Sequence, residues 1–212
     1  MKETCWVLTG PTASGKTALS LRLARTHDCE IVCMDSMQIY RGMDIGTAKP
    51  TADECAQAVH HMVDVADPTE DFSVARYQEM AESCIADIQA RGHRALLVGG
   101  TGLYLRALRQ PMAMGEAAAD ESIRQELQQI ADAPGGKEQL HQQLAAVDPD
   151  TAQRLHLNDV RRVIRALEVY RLTGRSFSQQ PQIKTDSRFS YRVASLTMPR
   201  DILYARIEQR ID

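Results

Sequence analysis

The chain has 212 residues, 43% of them hydrophobic and 25% charged, with a formal net charge of −3. That length can bury the core of one α/β domain with a small insertion, and the composition is ordinary globular usage, which excludes a disordered tail. The charge is uneven: residues 154–212 carry 12 Lys and Arg against 6 Asp and Glu, whereas residues 1–153 carry 13 against 22. A basic end of this kind raises the prospect of an acidic or nucleic-acid partner without establishing one.

The first segment, "MKETCWVLTG", enters a strand at once and contains no apolar run long enough for a signal peptide or a membrane span, so a cytoplasmic protein without a membrane partner is expected. "TCWVLTG" reads as a buried strand and "KTALSLRLARTH" as the helix after it. "EIVCMDS" is a second apolar strand ending on Asp35, followed by a loop, "RGMDIGTAKP", and then "VHHMVDV". Ser73 is a candidate N-cap for a helix with apolar positions at Tyr77, Met80, Cys84, Ile85 and Ile88, stopped by Gly92. "ALLVGGTGLYL" is strand, glycine turn and helix. Strands alternating with helices predict a parallel α/β sheet whose ligands sit at the carboxyl ends of the strands.

From about Pro111 the pattern changes to three helical stretches without a strand, "DESIRQELQQIA", "KEQLHQQLAAV" and "NDVRRVIRALEVYRLTG". The expected organisation is a core over residues 1–112, a helical insertion over 113–187 and a return to the core over 188–212. "SFSQQPQIKTDS" is a polar return, "YRVASLTM" a strand, and "PRDILYARIEQRID" a helix without a stop signal, so the chain is expected to end within it. In the third helical stretch Asn158 reads as the cap, Val160, Val163, Ile164 and Leu167 as an inward stripe, and Arg161, Arg162 and Arg165 as lying off that stripe. Those arginines either meet phosphates or pair with Glu168 and neighbouring acids. The five cysteines, Cys5, Cys29, Cys33, Cys55 and Cys84, include no C-x-x-C pair and read as buried thiols. His60 and His61, adjacent on a strand, face opposite ways and read as structural rather than as a joint metal site.

"GPTASGKT" carries the chemistry. Gly10, Pro11, Thr12, Ala13, Ser14, Gly15, Lys16 and Thr17 fit G-x-x-x-x-G-K-[ST] between a strand and a helix, which is the context that makes the pattern specific. The glycines allow close backbone approach, the N–H groups and helix N-terminus attract anions, Lys16 neutralises charge, and Thr17 can reach Mg²⁺. A di- or triphosphate is expected there. The companions of an ordinary NTPase are missing: after "ALLV" the expected metal-binding Asp is replaced by Gly99, Gly100 and Thr101, and no Asn-Lys-x-Asp reads guanine. Asp35, at a strand end facing the loop, is the stronger candidate for a chemical role, while Thr101 also fits a plain turn hydroxyl.

Together "GPTASGKT", "DSMQIYRGMDIGTAKP", "HHMVDV", "VGGTGLYL", "NDVRRVIRALEV" and "RIEQRID" closely resemble the bacterial tRNA dimethylallyltransferase family across essentially the whole chain. The block from Asp35 to Pro50 is its most specific part; the family's chains continue past Asp212. The resemblance implies a P-loop, nucleoside triphosphate hydrolase-like core with a helical insertion. It also implies transfer of a dimethylallyl group from dimethylallyl diphosphate to N6 of the adenosine 3′ of the anticodon. The loop would then hold the diphosphate, with Mg²⁺ and Lys16 stabilising the leaving charge, Thr101 hydrogen-bonding the bridging oxygen and Asp35 acting as general base. The tRNA anticodon stem-loop is the implied partner, met by Asp35, Ser36, Met37, Gln38, Thr101, Ile123, Asp159, Val160, Arg161, Arg162 and Val163; a monomer is expected. The alternatives are a prenyltransferase acting on free AMP, ADP or ATP, and a small-molecule kinase with ATP on the loop.

Overall fold

The computed structural model describes residues 3–110, 120–179 and 186–211. It divides into two compact units, one of residues 1–111 with 185–212 and one of residues 112–184. The expected boundary near residue 112 and part of the polar return, residues 180–185, lie outside the described residues.

In the first unit β1 (Thr4–Thr9), α1 (Lys16–His27), β2 (Cys29–Cys33), α2 (Ala52–Gln57), β3 (His60–His61), α3 (Val74–Ala90), β4 (Arg94–Val98) and α4 (Gly102–Arg109) follow in order. The second unit supplies α5 (Glu121–Asp132), α6 (Gly136–Val147), α7 (Pro149–Arg154) and α8 (Val160–Thr173), after which β5 (Ser190–Ser195) and α9 (Arg200–Ile211) complete the first. The five strands form one sheet in the order β3-β2-β4-β1-β5, and every pairing is parallel. The fold is α/β, as the alternation of strands and helices predicts.

Period-two alternation sorts the strand residues onto two faces. Val7, Val32 and Leu97 meet Tyr77, Ala81, Ile85 and Ile88 of α3 and Leu108 of α4. Their neighbours Leu8, Ile31 and Leu96 meet Leu21 and Ala24 of α1 on the opposite face. Covering both faces is what makes these strands read as continuous apolar runs. Ser73 caps α3, its hydroxyl accepting from Arg76 N, and Gly92 turns the chain at φ 86° just after the helix.

The helical unit has a core of its own, in which Leu127 of α5, Leu140 and Leu144 of α6, Ala152 of α7 and Val163, Ile164 and Leu167 of α8 are buried together. α2 and α7 are six residues each, too short to show a periodic stripe, and the sequence pattern misses both. Two expectations, the cap of α8 and the burial of Cys55, need correction. The residue at the cap position of α8 is Asp159, not Asn158, whose backbone N–H instead donates to His156 Nδ1 at 3.2 Å. Of the two readings left open for the arginines of α8, Arg165 takes the pairing with Glu168: with Arg124 it holds that fully buried carboxylate, at 2.6 and 2.8 Å. Burying that carboxylate without its cations would be costly, so Arg165 is committed to it. Cys55 is exposed, unlike buried Cys5, Cys29 and Cys33.

His61 behaves structurally, its Nε2 lying 2.6 Å from Glu30 Oε2, and Arg91 closes on the same buried carboxylate. The Arg91 guanidinium is the main reason Glu30 is held at about 2, well below the usual carboxylate range.

Candidate active site

The chain leaves β1 at Thr9 and turns into α1 through Gly10–Gly15. Two residues in this turn need glycine. Gly10 has φ 143°, and a Cβ there would sit 2.7 Å from the Leu196 carbonyl oxygen; Gly15, at the cap position of α1, has φ 92°. Ala13 also adopts a left-handed φ of 63°. Successive N–H groups in such a turn make an anion-binding concavity at the positive end of α1. Lys16 Nζ donates to the carbonyls of Gly10 and Pro11 at 2.9 and 2.7 Å, so its ammonium already lies over the loop. The Ser14 hydroxyl oxygen is buried without a hydrogen-bond partner.

Beside the loop, the ends of β2 and β4 are knitted together. Met34 N donates to Val98 O at 2.8 Å, and Thr101 N to Met34 O at 3.3 Å. Buried Tyr77 donates its hydroxyl to Cys33 O at 2.9 Å and stacks on Tyr104 with ring centroids 3.8 Å apart. A Cβ on Gly99 would lie 1.9 Å from the Met34 carbonyl oxygen. No side chain fits there, so position 99, directly after β4, has no room for an NTPase acid.

This knot places Asp35 and Thr101. Asp35 Oδ1 accepts from Met37 N at 2.9 Å, and Thr101 Oγ1 accepts from Ser36 N at 3.1 Å. Accepting from Ser36 leaves the Thr101 proton free to donate elsewhere. Asp35 lines a cleft of about 940 Å³ together with Thr12–Thr17, Met37 and Gln38, the apolar floor residues Ile31, Cys33 and Val98, the loop 43–48, and Arg206 of α9. Of the expected site residues in this unit, Gly10, Pro11, Ser36 and Thr101 fall outside that lining.

Gln38, expected to offer a polar edge to an acceptor base, has its amide engaged within the fold. Its Oε1 accepts from the Cys33 thiol at 3.1 Å, and its Nε2 donates to Thr47 O and Ala48 O at 3.0 and 2.8 Å. Burial pushes the Cys33 thiol up to about 12, so it stays protonated and donating. Arg206 was missed from the sequence; its guanidinium comes within 4.0 Å of where a side chain on Gly15 would begin. The "RIEQRID" motif was the available signal, but only the pairing of β5 beside β1 brings α9 into the unit that holds the loop.

The remaining expected residues belong to the helical unit. Ile123 of α5 and Val160 of α8 pack against the same core, into which Val163 is buried at 1% exposure. Arg161 and Arg162 are exposed.

The family model described as IPP transferase matches residues 38–212. The chain belongs to the IPP transferase family. Among the family's curated members it is 47% identical to the tRNA dimethylallyltransferase of Shouchella clausii over 211 residues, covering all of this chain and 68% of that protein. It is 52% identical to the tRNA dimethylallyltransferase of Roseiflexus castenholzii over 207 residues, covering 97% and 66%. The solved structure of the full-length tRNA isopentenylpyrophosphate transferase of Bacillus halodurans matches with a TM-score of 0.64 at 43% identity, over 100% of this chain and 65% of that one. A eukaryotic dimethylallyltransferase caught acting on tRNA matches with a TM-score of 0.78 at 29% identity, over 99% and 52%. This IPP transferase chain thus spans about two thirds of the length of the curated relatives it matches. Among its described residues no helix is long and apolar enough to cross a membrane.

Proposed function

We propose that the cleft binds dimethylallyl diphosphate by its diphosphate and transfers the dimethylallyl group to N6 of the adenosine 3′ of the anticodon in tRNA, giving N6-isopentenyladenosine. The observation that carries this is the Asp35 carboxylate in the same cleft as a phosphate loop, with no room for a side chain at Gly99; the cleft's other carboxylate, Glu54, is engaged in capping α2 through the Thr51 N–H. A site so built can hold a phosphate chain and accept a proton beside it.

The N–H groups of Thr12–Thr17, Lys16 and Arg206 hold the diphosphate and stabilise its charge as the C1–O bond breaks. N6 forms the new bond to C1 and loses a proton to the Asp35 carboxylate, while diphosphate leaves intact. The amine of adenine is a poor nucleophile because its lone pair is delocalised, so proton removal must accompany attack. Thr101 has a proton to donate to the bridging oxygen. To reach Asp35 the adenine must leave its stack.

Among the described residues no group of three or more His, Cys, Asp or Glu is arranged to hold a metal ion. The exposed Thr17 hydroxyl, also lining the cleft, fits Mg²⁺ carried in by the substrate, since that ion takes few protein ligands and several phosphate oxygens and waters. Mg²⁺ bound there would neutralise charge on the leaving diphosphate. A tRNA substrate supports a cytoplasmic setting.

Titration calorimetry tests the loop assignment. Dimethylallyl diphosphate and inorganic diphosphate should bind, and Lys16→Ala should weaken both about 10- to 100-fold through removal of a charge-assisted hydrogen bond. Phosphate transfer from ATP to any acceptor, without prenyl transfer, would contradict the assignment.

The exposed Arg161 and Arg162 are proposed to meet tRNA phosphates. Because Arg165 is committed to Glu168, the informative variant is the double Arg161→Ala, Arg162→Ala. It should weaken tRNA binding and flatten the salt dependence by about 0.7 to 0.9 in slope for each phosphate no longer neutralised. Affinity for dimethylallyl diphosphate should not change. An unaltered slope across a salt series would assign both arginines to the fold.

A further inference from the structure

The loop between Tyr40 and Lys49 is fastened at several points. Besides the two bonds from Gln38, Thr47 Oγ1 donates to Met43 O at 2.6 Å. Lys49 Nζ, on a side chain only 6% exposed, donates to Tyr40 O at 2.6 Å and pairs with Asp44 and Asp64 at 2.7 and 2.6 Å. Ala48 is held at φ 52°, a conformation a non-glycine residue keeps only where its surroundings impose it. What this bonding displays is Ile45, 99% exposed on the rim of the cleft. A second apolar side chain lines the same cleft: Met37, 45% exposed, whose backbone N–H is bonded to the Asp35 carboxylate.

Lone exposed apolar side chains are common and need no explanation. These two differ because both line the cleft that holds the only carboxylate assigned a chemical role. We infer that Ile45 and Met37 form an apolar rim that takes the flat face of the acceptor nucleobase. The inference rests on the acceptor reading above and deepens it. An amine that delivers its proton to Asp35 brings its ring into the cleft that Met37 and Ile45 also line, and a base lifted from its stack needs apolar surface to replace its former neighbours. The dimethylallyl chain is the competing occupant. It would be tethered to the phosphate loop and has an apolar floor in buried Ile31 and Cys33 and partly buried Val98, whereas Ile45 would leave it in water.

The test measures prenyl transfer by the wild-type protein, Ile45→Ala and Ile45→Leu, varying an anticodon stem-loop RNA and dimethylallyl diphosphate in turn. Ile45→Ala should raise KM for the RNA about three- to tenfold, as expected when part of one apolar side chain is removed from against a base. KM for dimethylallyl diphosphate and the melting temperature should stay as in the wild type, because the side chain is almost wholly in solvent. Ile45→Leu, which keeps the apolar surface, should restore KM for the RNA. An unchanged KM for the RNA overturns the inference, and so does a rise confined to dimethylallyl diphosphate. If the wild type binds the RNA without turnover, the same comparison is read from binding isotherms. A wild type that neither binds nor modifies the RNA overturns the acceptor reading, and the inference with it.

Discussion

Replacing Asp35 should lower turnover about 10²- to 10⁴-fold, the usual scale for removal of a general base, and leave diphosphate binding largely intact. Asp35→Asn is the cleaner of two variants. Asp35 Oδ1 accepts from Met37 N, and the Asn carbonyl can keep that bond and so hold the turn. Asp35→Ala loses both the turn and the base, and should be at least as impaired. Single-turnover rates beside calorimetric affinities separate the two effects. Near-normal turnover of Asp35→Asn at neutral pH would remove Asp35 from the mechanism.

The second large effect concerns stability. Gly99→Asp would restore the acid that an NTPase carries after this strand, but its Cβ would lie 1.9 Å from the Met34 carbonyl oxygen and 2.3 Å from the carbonyl carbon. Both atoms are backbone, tied into the junction of β2 and β4, so neither can swing aside. Destabilisation of about 4 kcal/mol or more is expected, lowering the melting temperature by roughly 10 °C or preventing folding. Gly102→Ala is the control. Nothing lies within 4 Å of a Cβ there, and the residue opens α4, so its melting temperature should stay close to that of the wild type. A Gly99→Asp protein that melts like the wild type would mean that the ends of β2 and β4 are farther apart than described.

Local pattern made the core legible and tertiary placement hid the rest. The strand, phosphate loop and first helix are written in adjacent residues, and the helix read as "KTALSLRLARTH" spans Lys16–His27 in the structure. Asp35 was found because it follows an apolar strand, where ligands of parallel sheets gather. Gln38 looked like a free polar edge because its partners, Cys33 and the carbonyls of Thr47 and Ala48, meet only when the loop folds back on β2. Arg165 leaves two readings open in the sequence, a phosphate ligand beside Arg161 and Arg162 or a partner of Glu168. Its distinguishing signal was Glu168, three residues on and flanked by buried Leu167 and Val169, which demands an internal cation. Asn158 and Asp159 are both good caps by residue type, and only the backbone path chooses between them. Arg206 lies about 190 residues after the loop whose cleft it lines, beyond the reach of any local pattern.

A prenyl group, not a phosphoryl group, is proposed to move from this cleft to tRNA. Incubating the protein with Mg²⁺, dimethylallyl diphosphate labelled in its prenyl carbons and unmodified tRNA, beside parallel reactions with AMP and with ATP as acceptors, tests it most directly. Label is expected in the tRNA alone, on N6 of the adenosine 3′ of the anticodon after nuclease digestion, with one diphosphate released per group transferred. Label in free AMP or ATP with none in tRNA, or a labelled tRNA position other than that N6, would contradict it.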